Sequence, residues 1–283
     1  MCDNHWLTNA TTAPHETDAI LTLGLLQVFE VYHSDMSVAG FRERHEQMQT
    51  WLKWLIDGAS YVDTDDERWD FLTIYEKTGG AAANGCAQLN GSATRYHFAG
   101  YCTAYRYYAY PDKVRPRISQ FLILPPFQRM GLGSHLLQSF YDRFRDQDTV
   151  VDISVEDPAE NFTKLRDFVD ARNCLSLPAF SAEAISSGWT NLMAQAAQNK
   201  LKLNRNQARR VYEILKLRSI DRSNEAAYRS YRLEVKNRLN APFLKSKLTE
   251  SPITDEVRIT TLQNMYDQAE EEYMETIERL AAA

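Results

Sequence analysis

The pattern of apolar and polar positions is sharpest between Arg117 and Arg172, where it reads as strand, glycine loop, helix, strand and helix. Ile118 to Leu124 is a largely apolar run of strand length with branched side chains, and Pro125-Pro126 ends it because proline cannot donate to a sheet ladder. Gly131 and Gly133 then stand at alternate positions, with Leu136, Leu137, Phe140, Tyr141 and Phe144 behind them at helical spacing, so the loop opens a helix. Thr149 to Val155 predicts a second buried strand, closed by Glu156-Asp157-Pro158. In the helix that follows, Phe162, Leu165, Phe168 and Val169 form the buried stripe, leaving Lys164, Arg166 and Asp167 outside it.

The flanking segments extend this pattern. From Phe41 to Ile56 the residues Met48, Trp51, Leu52, Trp54, Leu55 and Ile56 mark a covering helix, and Trp69 to Tyr75 a strand. Thr78 to Ser92 is rich in Gly, Ala and Asn and reads as a hairpin loop. Along the next strand Tyr101, Thr103, Tyr105 and Tyr107 alternate with a second face that carries Cys102, Ala104, Tyr108 and Tyr110. Residues 182–283 show only helical patterns, among them Gln207 to Leu217 and Met265 to Leu280. The expectation is an α/β domain over 27–181, a helical domain over 182–283, and a loose terminus over 1–26.

A strand that feeds a glycine loop and then a helix turns several backbone N–H groups toward the positive end of the helix, where a pyrophosphate can be held with few side-chain charges. The loop Gln128-Arg129-Met130-Gly131-Leu132-Gly133 is neither G-x-x-x-x-G-K-S/T nor G-x-G-x-x-G. Its Q-x-x-G-x-G spacing fits an acyl-CoA loop, and the competing reading is a tight strand-to-helix turn with no ligand.

That loop after an apolar strand resembles the signature of the GNAT (GCN5-related N-acetyltransferase) superfamily. Arg115 to Gln120, Leu122-Ile123-Leu124, Pro126-Phe127-Gln128, Glu156-Asp157-Pro158 and Lys164 to Val169 resemble, more narrowly, the catalytic subunit of the type B histone acetyltransferase. Asp65 to Trp69, Tyr110 to Lys113 and Ala208 to Leu215 extend the likeness, which covers roughly residues 27 to 283. It implies a mixed central sheet flanked by helices, followed by a C-terminal helical domain. Acetyl-CoA is the implied co-substrate, lined by Phe121, Leu122 and Ile123, with Gln128, Arg129, Met130, Gly131, Leu132, Gly133 and Ser134 at its pyrophosphate, and no metal is implied. Carboxylates at Asp57, Glu156 and Asp157 surround the acceptor lysine, with Glu156 the favoured base, and Asp57 stands where the family more usually has glutamate. Trp69 and Tyr105 line the substrate groove. The implied substrate is the tail of free histone four, the implied partner a WD-repeat histone chaperone, and the implied location the nucleus and cytoplasm. The resemblance implies that family members carry a further domain ahead of the matched region, one that helps seat histone and chaperone, and the expectation is that this sequence lacks it.

Composition narrows the alternatives. At 283 residues, 44% hydrophobic and 25% charged, the chain has the make-up of a globular protein. No apolar run approaches the roughly 20 residues that cross a bilayer, and the first residues lack a signal-peptide pattern. Cys2, Cys86, Cys102 and Cys174 are widely spaced, with no C-x-x-C and no nearby histidine pair, so they suggest neither a zinc site nor a disulfide framework, and Cys102 lacks a neighbouring His or Asp in sequence to make it an acyl-enzyme nucleophile. His135, just inside the loop helix, reads as a surface or loop-packing residue. The net charge of −6 conceals segregation: 200–248 carries 14 positive and 4 negative residues, 249–283 carries 2 and 9. The basic stretch keeps a nucleic-acid surface open as a rival function, although the base-stacking pattern of an RRM-type sheet is missing. A mildly acidic front half suits a basic peptide, and a carboxylate must deprotonate lysine, whose amine titrates near 10.4, before it attacks a thioester. Glu156, at the end of a buried strand beside Asp157, is expected to have its pKa raised by burial and by that neighbour. The alternatives to a histone acetyltransferase are a non-catalytic acetyl-CoA or histone-binding module and an acetyltransferase of another basic protein or a polyamine.

Overall fold

The computed structural model describes residues 17–23, 27–56, 58–78, 94–246 and 254–283. Asp57 and nearly all of the loop expected over Thr78 to Ser92 lie outside the described residues. The chain divides between Ala159 and Glu160 into two compact units.

In the first unit, six strands among the described residues lie in sequential order. They are β1 (Thr17–Leu23), β2 (Gln27–Ser34), β3 (Trp69–Thr78), β4 (Arg95–Ala109), β5 (Lys113–Ile123) and β6 (Ser154–Val155). All neighbours are antiparallel except β5 and β6, which run parallel. β1 falls inside the stretch expected to be loose, and its backbone pairs with β2 from Thr17 to Leu23. The strand expected over Thr149 to Val155 is shorter: β6 covers Ser154 and Val155, and an isolated bridge joins Val150 to Val114. Between those contacts Asp152 is buried and bound by both Nε and Nη2 of Arg115, and Pro116 of β5 has no N–H to donate to the ladder.

Side-chain alternation places Tyr32, Phe71, Tyr101 and Leu122 in one core with Phe41 and Leu52 of α1 (Phe41–Leu55). Leu72, Cys102 and Ala104, on the alternate face, are also fully buried, and α2 (Leu132–Arg145) lies against β1, β3, β4 and β5. The apolar stripe read from sequence, Leu136, Leu137, Phe140, Tyr141 and Phe144, is the buried face of α2. Gly100 sets how closely β4 and β5 approach, since a Cβ there would lie 2.5 Å from Ile123 Cδ1 and 2.9 Å from the Leu122 carbonyl oxygen.

The second unit is helical: α3 (Glu160–Cys174), α4 (Ala182–Ser187), α5 (Asn191–Leu201), α6 (Arg205–Ser219), α7 (Glu225–Ser246) and α8 (Asp255–Ala282). Asn204 and Thr254 cap α6 and α8 by accepting from Gln207 N and Val257 N. α3 packs on α6 and α8 and is counted with these helices, whereas the sequence boundary at 181/182 leaves it with the sheet. That packing also buries Arg166 and Asp167, expected outside the stripe: Asp167 accepts from Arg210 Nε at 2.6 Å and Gln207 Nε2 at 3.1 Å, and Arg166 lies 3.4 Å from Asp170. The segregated charges meet in the same way. Arg210 and Arg222 pair with Glu272 and Glu270 of α8, while Arg209 and Lys216 of α6 pair with Glu234 of α7.

Candidate active site

The residues expected to act on the acceptor gather where β6 leaves β5. Arg117 is opposite Ser154 and Ile118 opposite Val155, and the Glu156 N–H then donates to the Ile118 carbonyl at 2.9 Å. The β5–β6 ladder ends at Ile118 and Val155, while the β5–β4 ladder runs on to Ile123, so the two parallel strands part at Glu156. Phe121, Leu122 and Ile123 form the length of β5 past this fork, with Leu122 buried and its two neighbours half-buried.

Glu156 is exposed, and so is Asp157, which takes a left-handed φ of 32° uncommon for a residue with a side chain. The burial expected for Glu156 is therefore absent, because β6 ends one residue before it and leaves its side chain outside the sheet. Its partner is Ser119, whose Oγ donates to Glu156 Oε2 at 2.9 Å. Nothing in the sequence singled out Ser119, although it sits within the motif Arg115 to Gln120 that carries the resemblance.

The glycine loop follows directly from β5. The Leu124 N–H donates to the Ala99 carbonyl at 2.9 Å, Pro125–Phe127 makes one turn of 3-10 helix, and Gln128 Nε2 returns to the Ile123 carbonyl at 2.9 Å. Arg129 and Gly131 both have positive φ, 64° and 83°, which turns the chain sharply into α2. Gly131 is the N-cap, and no side chain caps the helix. Gln128, Arg129 and Gly131 are exposed, Met130 and Gly133 half-buried, Leu132 and Ser134 buried. Backbone N–H groups at such a helix start can hold an anion.

Trp69 and Tyr105 are directly opposite on β3 and β4, their rings 5.0 Å apart and edge to face. Tyr105 is in turn opposite Arg117, and Arg117 opposite Ser154, so one rung runs Trp69, Tyr105, Arg117, Ser154 across four strands. Glu156 is two residues past its end, which puts the aromatic pair and the carboxylate on neighbouring parts of the sheet. The Tyr105 hydroxyl donates to Asp66 Oδ2 at 2.9 Å, and Arg68 grips the same carboxylate through Nε at 2.9 Å and Nη2 at 2.7 Å. Arg68 thereby holds Asp66 well below the usual carboxylate range. Asp65 is paired with Arg42. Part of the acidity expected around a basic peptide is thus already neutralised within the chain. Tyr107 continues the aromatic row 4.7 Å from Tyr105, with the Arg117 guanidinium 4.5 Å from its ring centre.

Cys102 is fully buried and burial pushes its thiol far up, which removes it as a nucleophile. His135 is half-buried, and its imidazole is held toward the neutral form by that burial.

The profile of the Acetyltransferase (GNAT) family matches residues 45–168, and that of "Histone acetyltransferase type B catalytic subunit, C-terminal" matches residues 166–217. The chain is 41% identical over 259 residues to the human type B histone acetyltransferase catalytic subunit, covering 88% of this chain and 59% of that protein. The mouse protein of the same description is 40% identical over 281 residues, 96% of this chain and 64% of its own length. That of Mycosarcoma maydis is 34% identical over 256 residues, 87% and 53% respectively. The chain therefore spans less than two thirds of these relatives. By sequence it is a homologue of the type B histone acetyltransferase catalytic subunits, built on the GNAT acetyltransferase fold.

Proposed function

We propose that this chain transfers the acetyl group of acetyl-CoA directly to lysines in the tail of free histone four. The observation that carries the reading is the fork of β5 and β6, with Glu156 at its apex, the edge of β5 running from it, and an uncapped helix start behind a glycine loop at the far end. Acetyl-CoA laid along that edge has its thioester by Phe121 to Ile123 and its pyrophosphate at Gln128 to Ser134. Glu156 accepts a proton from the lysine ammonium, the amine nitrogen attacks the thioester carbon, and the carbon–sulfur bond breaks. The CoA thiolate leaves with the second amine proton. A backbone N–H of the 121–123 stretch donates to the oxygen as it gains charge. An acceptor lysine seated against Glu156 excludes the water that reaches the carboxylate in the free chain. Asp157 and Asp57 add negative charge around the ammonium, and Trp69 and Tyr105 flank the extended tail.

The Gly-Lys-rich tail of free histone four suits the groove because glycine lets a backbone approach the rings, while single exposed charge contacts contribute only about 0.2–1 kcal/mol each. The same reading makes a WD-repeat histone chaperone the partner, and the nucleus and cytoplasm the place of action.

The deciding experiment incubates the purified chain with labelled acetyl-CoA and, separately, free histone four, nucleosomes and polyamines. Label should enter free histone four preferentially, and Glu156→Gln should lower turnover by about 10² to 10⁴ at neutral pH while CoA binding persists. Preference for a polyamine, or equal use of nucleosomes, would overturn the substrate assignment. Binding of CoA and histone with no turnover by the unaltered chain would favour the non-catalytic module instead.

A further inference from the structure

The β4–β5 register slips beside the fork. Thr103 is opposite Gln120 whereas Ala104 is opposite Ile118, which leaves Ser119 with no opposite residue: a β-bulge. A bulge disrupts the ladder locally, and here the Gln120 N–H donates to the side-chain oxygen Thr103 Oγ1 at 3.1 Å. Both residues are buried, so that hydroxyl gives a partner to a donor that water does not reach. The bulge also sends two consecutive side chains to two different elements. Ser119 Oγ reaches across the fork to Glu156 Oε2 at 2.9 Å. Gln120 Nε2 donates to the Ser60 carbonyl at 2.8 Å, anchoring to β5 the segment that follows α1. That segment is held again where the Val62 N–H donates to Gln49 Oε1 at 2.6 Å.

We propose that the Thr103–Ser119–Gln120 bulge is the device that positions the acceptor end of the site, and that Ser119 is a positioning residue acting through Glu156. The placement is what makes this specific. Ile118 is the last β5 residue bonded to β6, so Glu156 has no ladder beyond it, and its exposed side chain would sample several rotamers if nothing held it. The extra residue of the bulge lies one step further along β5 and supplies the hydroxyl that selects one of them. The proposal rests on Glu156 as the base.

The test is a double-mutant cycle in the full chain, with kcat and KM for a histone four tail peptide and CoA affinity measured on each variant. Ser119→Ala should lower kcat about tenfold, the scale seen when a group orienting a functional residue is removed, with CoA affinity unchanged and Ser119→Thr largely restored. In the Glu156→Gln background Ser119→Ala should cost less than about twofold, because a residue that acts through another has nothing left to act on. Thr103→Val should reproduce the kcat loss and Thr103→Ser should not. Full kcat in Ser119→Ala with Glu156→Gln inactive would overturn the positioning role and leave the base in place. Equal losses from Ser119→Ala in both backgrounds would also overturn it, as an effect independent of Glu156. Wild-type turnover in Glu156→Gln would remove the base and the proposal together.

Discussion

The backbone N–H of Glu156 donates to the Ile118 carbonyl at 2.9 Å, and past that bond the β5–β4 ladder continues without β6. β5 ends at Ile123, whose carbonyl accepts from Gln128 of the glycine loop. One strand therefore connects the carboxylate at the fork to the helix start, and a ligand with an acyl group at one end and a pyrophosphate along its length can be read by both.

This geometry predicts the effect of substituting the loop. Gly133 lies in the first turn of α2, at a helix start with no side-chain cap. Gly133→Asp adds a side chain and a negative charge where phosphates would approach, and calorimetry should show CoA affinity lowered tenfold or more, about 1.4 kcal/mol. Gly131→Ala tests a different property: with φ at 83° and open space where a Cβ would stand, it should cost about 1–2 kcal/mol of stability through backbone strain alone. Unchanged CoA affinity in a folded Gly133→Asp chain would remove the pyrophosphate from this loop.

The parts of this site that sequence made legible are those that repeat or that break a pattern. The α2 stripe, the two glycines and the aromatic alternation of β4 could be placed because each follows a period set by backbone geometry. The bulge at Ser119 could not, since Ile118-Ser119-Gln120-Phe121 alternates like any strand and the slip exists only in the pairing with β4. Nor could the exposure of Glu156, because an apolar run before a carboxylate does not say where the next strand stops following it. Arg166 and Asp167 mislead for a related reason: their polarity suggests an outer face, yet α6 supplies Arg210 and Gln207 to satisfy Asp167 inside. The charge segregation of the C-terminal third was visible, but its meaning as facing sides of packed helices needed the helix pairing.

His45 gives a pH prediction. It is fully buried between Phe41 and Tyr101, with Nε2 2.6 Å from the Tyr101 hydroxyl, and burial lowers its pKa to about 4. The unfolded histidine titrates near 6.5, so between these values the unfolded chain takes up a proton that the folded chain refuses. Stability should accordingly be flat above that window and fall as pH drops through it, by up to about 1.4 kcal/mol per pH unit for one such group. His135, also shifted down by burial, adds a smaller effect of the same sign. Denaturant titrations from pH 8 to 4.5 should show the slope, and His45→Phe should flatten it even though it leaves the Tyr101 hydroxyl without its partner. An unchanged slope in that variant would assign the acid sensitivity elsewhere.

Glu213 is the sharpest test of the helical unit. Its carboxylate is fully buried on α6 and accepts from Arg238 Nε at 2.7 Å and Nη2 at 2.8 Å, from Arg209 Nε at 3.0 Å and from the Tyr273 hydroxyl at 3.0 Å. These bonds join α6, α7 and α8 at one point. Replacing a buried ionic cluster by matched apolar groups can be neutral, but removing one member strands the others, typically at a cost of about 3–5 kcal/mol. Glu213→Gln keeps the shape, loses the charge, and leaves two guanidinium groups facing an amide, so it should lower stability by that order. Tyr273→Phe deletes one neutral donor and should cost about 1 kcal/mol. Glu160→Gln, which breaks an exposed i,i+4 pair with Lys164, should stay within about 0.5 kcal/mol. Urea denaturation of the three variants should return that order. A Glu213→Gln loss no larger than that of Glu160→Gln would mean the three helices are held by their apolar contacts, Ile214, Leu217, Tyr231, Val235 and Tyr266, with the buried charges contributing nothing to the unit.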